Sequence, residues 1–79
     1  MLDIHVDRDL LVHIMHLDQN IKKRREALGL TQKQLAKKVG KKNRFWIANL
    51  ESGRSRPNGE DLVALARALN CTAESLVES

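Results

Sequence analysis

The stretch GLTQKQLAKKVGKKNRFWIANLESGRSRP, residues 29–57, decides the fold. Gly29 ends one helical segment. Thr31 opens the next, because its hydroxyl can accept a backbone N–H of the first turn while Gln34, three residues on, returns a bond to Thr31. Leu35, Ala36 and Val39 give this second segment an apolar face, and Ala36 is small enough for another helix to cross closely. Gly40 ends it, and Lys41 and Lys42 form a turn. A third segment runs from about Asn43 to Ser52, with Ile47 and Leu50 three apart on its inner side. Gly53 stops that segment, Arg54 to Arg56 form a basic loop, and Pro57 prevents further helix there.

Upstream, a helix is predicted from about Gln19 to Leu28, with Asp18 as its N-cap and Ile21, Arg25 and Leu28 on its inner face. Residues 1–17 contain no Gly or Pro and carry two periodicities. Leu2, Ile4 and Val6 alternate as in a strand, whereas Leu10, Ile14, Leu17 and Ile21 follow helical spacing. The reading is an arm that is extended at first and then helical. Downstream, Asn58 caps a fourth helix with Asp61 three residues on, and Leu62, Leu65, Ala66 and Leu69 form its buried stripe. A last helix follows Thr72, with Leu76 and Val77 apolar. The periods predict an all-α bundle over residues 18–79, with residues 1–17 as an N-terminal arm or extra helical segment.

The chain has 79 residues. A domain of that length buries only about 60–65% of its unfolded surface, so association with a second copy is a natural aid to stability. Cys71 is the single cysteine, which excludes an intramolecular disulfide and fits a reducing compartment. It sits at a turn with no base beside it in sequence, so a buried structural thiol is expected rather than a nucleophile. No apolar run approaches the ~18 residues of a membrane span. The first residues include Asp3, Asp7, Arg8 and Asp9, unlike the basic start of a secretory signal, so a cytoplasmic location is expected. His5, His13 and His16 have no cysteine ligands near them and read as surface or interface residues, so no metal is expected. Neither an acid–base constellation nor a cofactor motif points to an enzyme.

The net charge of +4 conceals a pattern. Residues 22–56 hold twelve of the fourteen Lys and Arg, against Glu26 and Glu51, while both ends of the chain are net acidic. A basic centre between acidic ends is the footprint of a polyanion-binding face. Two helices joined by a glycine turn would present the second to the DNA major groove. Its outward positions are Arg44, Phe45, Ala48 and Asn49. Arg44 could fork onto guanine, Asn49 could pair with adenine, and Phe45 could pack on a thymine methyl or in the core. Asn43 is a helix cap, a DNA contact, or both. Trp46 either seals the core edge or places its indole N–H on the DNA backbone. Thr31 and Gln32 begin the second segment, where a phosphate would be met. Lys41, Lys42, Arg54 and Arg56 flank the third segment and would hold phosphates.

Residues 17–77, about three quarters of the chain, resemble the Cro/repressor-type helix-turn-helix domain of phage repressors, many bacterial regulators and some antitoxins. The carriers are Ile21, Arg25, Gly29-Leu30-Thr31-Gln32, Leu35-Ala36, Gly40, Ile47, Leu50-Glu51, Gly53, Pro57, Leu62, Leu65-Ala66 and Leu69-Asn70-Cys71-Thr72. The resemblance implies a five-helix bundle, sequence-specific binding of double-stranded DNA, and a homodimer. It also implies a salt bridge between Arg25 and Glu51. The interval from Gly40 to Glu51 is one residue longer than the family pattern, and the extra residue is assigned to the Lys41-Lys42 turn. The expected function is a transcriptional regulator, a repressor in type. The alternative is a protein-interaction module or an antitoxin whose segment 1–17 binds a partner such as a toxin. Residues 1–17 are also read as a dimer contact or a cover for one end of the bundle.

Overall fold

The computed structural model describes the backbone of residues 4–77 and the side chains of residues 16–77. Within these bounds the fold is all-α, in five helices: α1 (Ile4–Ala27), α2 (Gln32–Lys38), α3 (Phe45–Glu51), α4 (Gly59–Ala68) and α5 (Ala73–Val77). Helix α1 packs on α3 and α5, α2 on α3, and α4 on α5.

The core is where the sequence pattern places it. Ile21, Leu35, Ile47, Leu50, Leu65 and Leu76 are each at most 2% exposed, and Ala36, Ala66 and Leu69 fill the spaces between them. Each large side chain contributes about 1.5–3 kcal/mol through burial, so the five helices are held by one shared cluster. None of α2, α3 and α5 exceeds seven residues. Helices that short are not stable alone and depend on this packing.

Local chemistry defines the helix ends. The Thr31 hydroxyl accepts from Gln34 N at 3.0 Å and Gln34 Oε1 accepts from Thr31 N at 2.8 Å, which completes the predicted capping box. Asn58 caps α4 by accepting from Asp61 N at 2.8 Å, and Thr72 caps α5 by accepting from Ser75 N at 3.0 Å. At the other ends one motif recurs. After α2, Gly40 N donates to Lys37 O and Lys41 N to Ala36 O, the paired bonds of a Schellman turn. That turn requires a left-handed residue, and Gly40 supplies φ +79°. The same pair of bonds follows α1, α3 and α4, with Gly29, Gly53 and Asn70 at the left-handed position.

Two expectations are corrected. Helix α1 is continuous from Ile4 to Ala27, so Asp18 lies inside a helix and is not an N-cap, and the segment from Ile4 on is helical rather than extended. The alternation of Ile4 and Val6 yields to the stronger helical stripe that follows it, in a segment without Gly or Pro to interrupt the backbone. Leu2 and the side chains of Ile4, Val6, Leu10 and Ile14 lie outside the described residues. Leu28 is 42% exposed rather than internal, because α1 ends at Ala27 and the Schellman turn carries Leu28 off the inner face.

Candidate nucleic-acid interface

Helix α3 is the centre of the site. Ile47 and Leu50 are buried against the core, while Phe45 on the other side is 59% exposed. Arg44 and Asn49 are also exposed and Ala48 is half-buried. Phe45 therefore does not join the core. The Arg44 guanidinium stands over its ring, 4.7 Å from the centroid, in a cation–π contact that pre-positions both side chains at the start of the helix.

The helix begins through Asn43. Its Oδ1 accepts from Phe45 N at 3.0 Å, and Arg44 O accepts the first helical bond from Ala48 N at 2.9 Å. The N-cap is Arg44, whose own side chain makes no capping bond, and the exposed Asn43 braces the helix start from one residue before it. Lys41 N closes the Schellman turn of α2, and Lys42 to Arg44 separate that turn from α3. Helix α3 keeps Ile47, Leu50 and Glu51 in the expected inward register.

The predicted ion pair is present and forms the hub of a network. Arg25 Nε donates to Glu51 Oε2 at 2.6 Å and Arg25 Nη2 to Glu51 Oε1 at 3.1 Å, a two-pronged contact. The third prong, Nη1, donates to Leu30 O at 2.8 Å in the turn after α1. The side chains are only 10% and 5% exposed. The hydrogen bond to Glu51 holds the Arg25 guanidinium above the ordinary arginine pKa despite the opposing cost of burial, so Arg25 stays charged. Gln32 Nε2 also donates to Glu51 Oε1, at 3.0 Å, and Gln32 Oε1 accepts from Arg44 Nη1 at 3.4 Å. One chain of contacts therefore runs from α1 to the end of α3, on to the start of α2, and back to Arg44 just before α3.

The flanking cations divide into two kinds. Lys41 pairs with Asp61 at 3.3 Å and stands over the Trp46 ring, 4.6 Å from its centroid. The ion pair ties the α2–α3 turn to the first turn of α4, and the cation–π contact ties it to α3. Lys42, Arg54 and Arg56 are exposed, with no ion pair among the described residues. Trp46 itself is half-buried against the core. Thr31 is exposed and uses its oxygen in the cap, which leaves the hydroxyl proton available.

Sequence reasoning missed three features. Gln32 is committed to Glu51, which no local signal announces, because its partner is nineteen residues away. The Lys41–Asp61 pair is likewise a product of the tertiary fold. Asn20 is 7% exposed and donates to Leu76 O at 2.8 Å, tying α1 to α5. That residue could have been found, since it lies three after Leu17 on the inner side of α1. Cys71 is half-buried beside the core, more open than expected. His16 is half-buried, and the side chains of His5 and His13 lie outside the described residues. No described helix is long and apolar enough to cross a membrane.

Known proteins share this architecture. The helix-turn-helix family model matches residues 21–76. Repressor protein C2 of Salmonella phage P22 is 37% identical over 62 residues, 78% of this chain and 28% of that protein. Endothelial differentiation-related factor 1 of Rattus norvegicus is 39% identical over 67 residues, 85% of this chain and 42% of that protein. The chain spans less than half the length of these relatives. The solution structure of the DNA-binding domain of the P22 C2 repressor superposes with a TM-score of 0.76 at 35% identity, covering 80% of this chain and 82% of that one. A crystal structure of the P22 repressor in complex with a synthetic operator gives 0.72 at 37% identity, covering 76% and 89%. With the match covering residues 21–76, well over half of the chain, this chain belongs to the helix-turn-helix family.

Proposed function

We propose that the protein is a repressor-type transcriptional regulator that inserts α3 into the DNA major groove. The observation that carries this reading is the division of α3. One side is locked by Ile47, Leu50 and Glu51, and the other offers Arg44, Phe45 and Asn49 to solvent between exposed cations. Asn49 and Arg44 supply hydrogen bonds to base edges, Phe45 and Ala48 supply apolar contact, and Asn43 reaches the edge of the same surface. Lys42 and Arg54 hold phosphates on either side of α3, with the Thr31 hydroxyl and the Trp46 indole as neutral donors beside them, while Arg56 adds to the positive field of the loop. Gln32 and Lys41, expected on phosphates, also have a positioning part in this reading. Each is committed to a protein partner and works by positioning, Gln32 through Glu51 and Arg44, Lys41 through Asp61 and Trp46. The P22 relative, solved with a synthetic operator, supports the same use of the fold.

Two copies bound to half-sites about 34 Å apart, one turn of the duplex, suit a domain with a single reading helix. Selection from a random duplex pool should return two related half-sites at that spacing. Affinity should then fall with salt at a log–log slope of about −0.9 per neutralised phosphate. Failure to bind any duplex at low salt would overturn the proposal and favour a protein-interaction module, such as an antitoxin bound to its toxin.

A further inference from the structure

The side chains of Arg44 and Phe45 are arranged as a unit. The guanidinium stands 4.7 Å from the centroid of the phenyl ring, and Phe45 is 59% exposed. Arg44 Nη1 donates to Gln32 Oε1 at 3.4 Å, while Gln32 Nε2 donates to Glu51 Oε1 at 3.0 Å. A carboxylate only accepts, so Glu51 fixes which end of the Gln32 amide faces it and leaves the amide oxygen for Arg44. Glu51 is itself held by Arg25 through two hydrogen bonds. The orientation of Arg44 is thus set by a relay that ends in the buried ion pair of α1 and α3.

The relay engages Nη1 alone. The hydrogen bonds of the described residues leave Nε and Nη2 of Arg44 open. Those two N–H groups form one edge of the guanidinium, the same edge with which Arg25 grips the two oxygens of Glu51. That edge matches the O6 and N7 acceptors that guanine sets side by side in the major groove, whereas adenine pairs its N7 with a donor.

The phenyl ring decides what lies beside that guanine. It stacks with the guanidinium and has no hydrogen bond to offer. Successive bases rise about 3.4 Å along a strand, so a ring stacked on a guanidinium level with guanine reaches the level of the neighbouring base. The apolar group in the major groove is the C5 methyl of thymine. In B-form DNA the C5 substituent of a pyrimidine overhangs the O6 and N7 edge of a guanine that follows it on the same strand. A methyl group there meets the ring and the guanidinium together. The methyl group of 5-methylcytosine is on the same carbon, so both pyrimidines present one apolar surface.

We propose that Arg44 and Phe45 read a two-base step as one unit: guanine, preceded on its strand by a pyrimidine methylated at C5, which is thymine or 5-methylcytosine. Arg44 takes the guanine edge, Phe45 takes the methyl group, and Gln32 is a positioning residue that holds Arg44. Methylation of cytosine at such a step then strengthens binding, so the protein responds to the modification state of its site. The inference rests on insertion of α3 into the major groove, and a panel of duplexes separates the two.

The test measures binding of the full chain by fluorescence anisotropy on duplexes selected from a random pool. The selected sites should contain a thymine–guanine step. At one such step, deoxyuridine in place of thymidine removes the methyl group alone. A second pair of duplexes carries cytosine or 5-methylcytosine there, each opposite guanine. Within each pair the methyl-bearing duplex should bind about fourfold more tightly, as burial of one methyl group implies. Phe45→Ala should abolish both differences, and Phe45→Leu should retain most of them. Gln32→Ala should reduce the preference for guanine over adenine at the second base several-fold, whereas loss of a phosphate contact alone would weaken every duplex alike. No binding to any duplex at low salt would overturn insertion in the groove and this inference with it. Selected sites without the step, equal binding within both pairs, a methyl effect that survives Phe45→Ala, or uniform weakening by Gln32→Ala would overturn this inference alone.

Discussion

The two sides of α3 obey different rules although they share seven residues. On one side Ile47 is fully buried and Leu50 nearly so, and Glu51 at the end is clamped by two groups from other helices. On the other, Phe45 is more than half exposed beside an arginine. A fully buried aliphatic side chain lowers the free energy of the fold. An exposed phenylalanine gives little to the fold. The contrast separates residues that aim the helix from residues available to be aimed, within a single short element.

The largest expected effect tests that contrast directly. Ile47→Ala should cost about 3–4 kcal/mol of unfolding free energy in urea titration, from lost burial and the cavity left behind. Phe45→Ala should change stability by less than about 0.5 kcal/mol, as surface changes do. The same Phe45 variant should lose about tenfold in affinity for selected DNA. Equal losses of stability from the two substitutions would abolish the distinction between the sides.

Glu51→Ala comes next. Removing the carboxylate leaves Arg25 buried without its main partner and frees Gln32, so a loss of about 3 kcal/mol is expected in thermal or urea unfolding. The effect should extend to DNA affinity measured well below the melting temperature, because α3 loses the anchor that sets its direction. A stability loss with unaltered affinity would make the pair structural only.

The smallest effects distinguish the two lysines of the turn. Lys41→Ala should lower stability by less than about 1 kcal/mol, since its pair with Asp61 is partly exposed, and should leave the salt slope of DNA binding nearly unchanged. Lys42→Ala should do the opposite: negligible change in stability and a salt slope shallower by about 0.9. Matching slopes for both variants would place Lys41 on phosphate as well.

These differences mark how far the sequence could be read. The helices of the bundle were legible because their caps are local: Thr31 with Gln34, Asn58 with Asp61, and the Gly29, Gly40 and Gly53 stops each act within a few residues. The core was legible because burial follows the helical period. The Arg25–Glu51 pair was available only through family resemblance, since nothing local links residues 26 apart. The protein partners of Gln32 and Lys41 were hidden for the same reason. In sequence each is a polar residue next to a reading helix, and only the fold shows that a carboxylate already holds it. The start of α1 was misread because Asp18 suits an N-cap by chemistry, yet an unbroken backbone with no Gly or Pro carried the helix through it.

The sequence by itself determined the number and order of the bundle's helices, the residues that fill the core, and the concentration of positive charge around residues 22–56. Those depend on local hydrogen bonding, helical period and composition, which are properties of neighbours along the chain. Tertiary structure alone decided which polar side chains remain available to a partner. A cation or amide is committed or available according to what the fold sets within about 3 Å of it, and those groups come from helices distant in sequence.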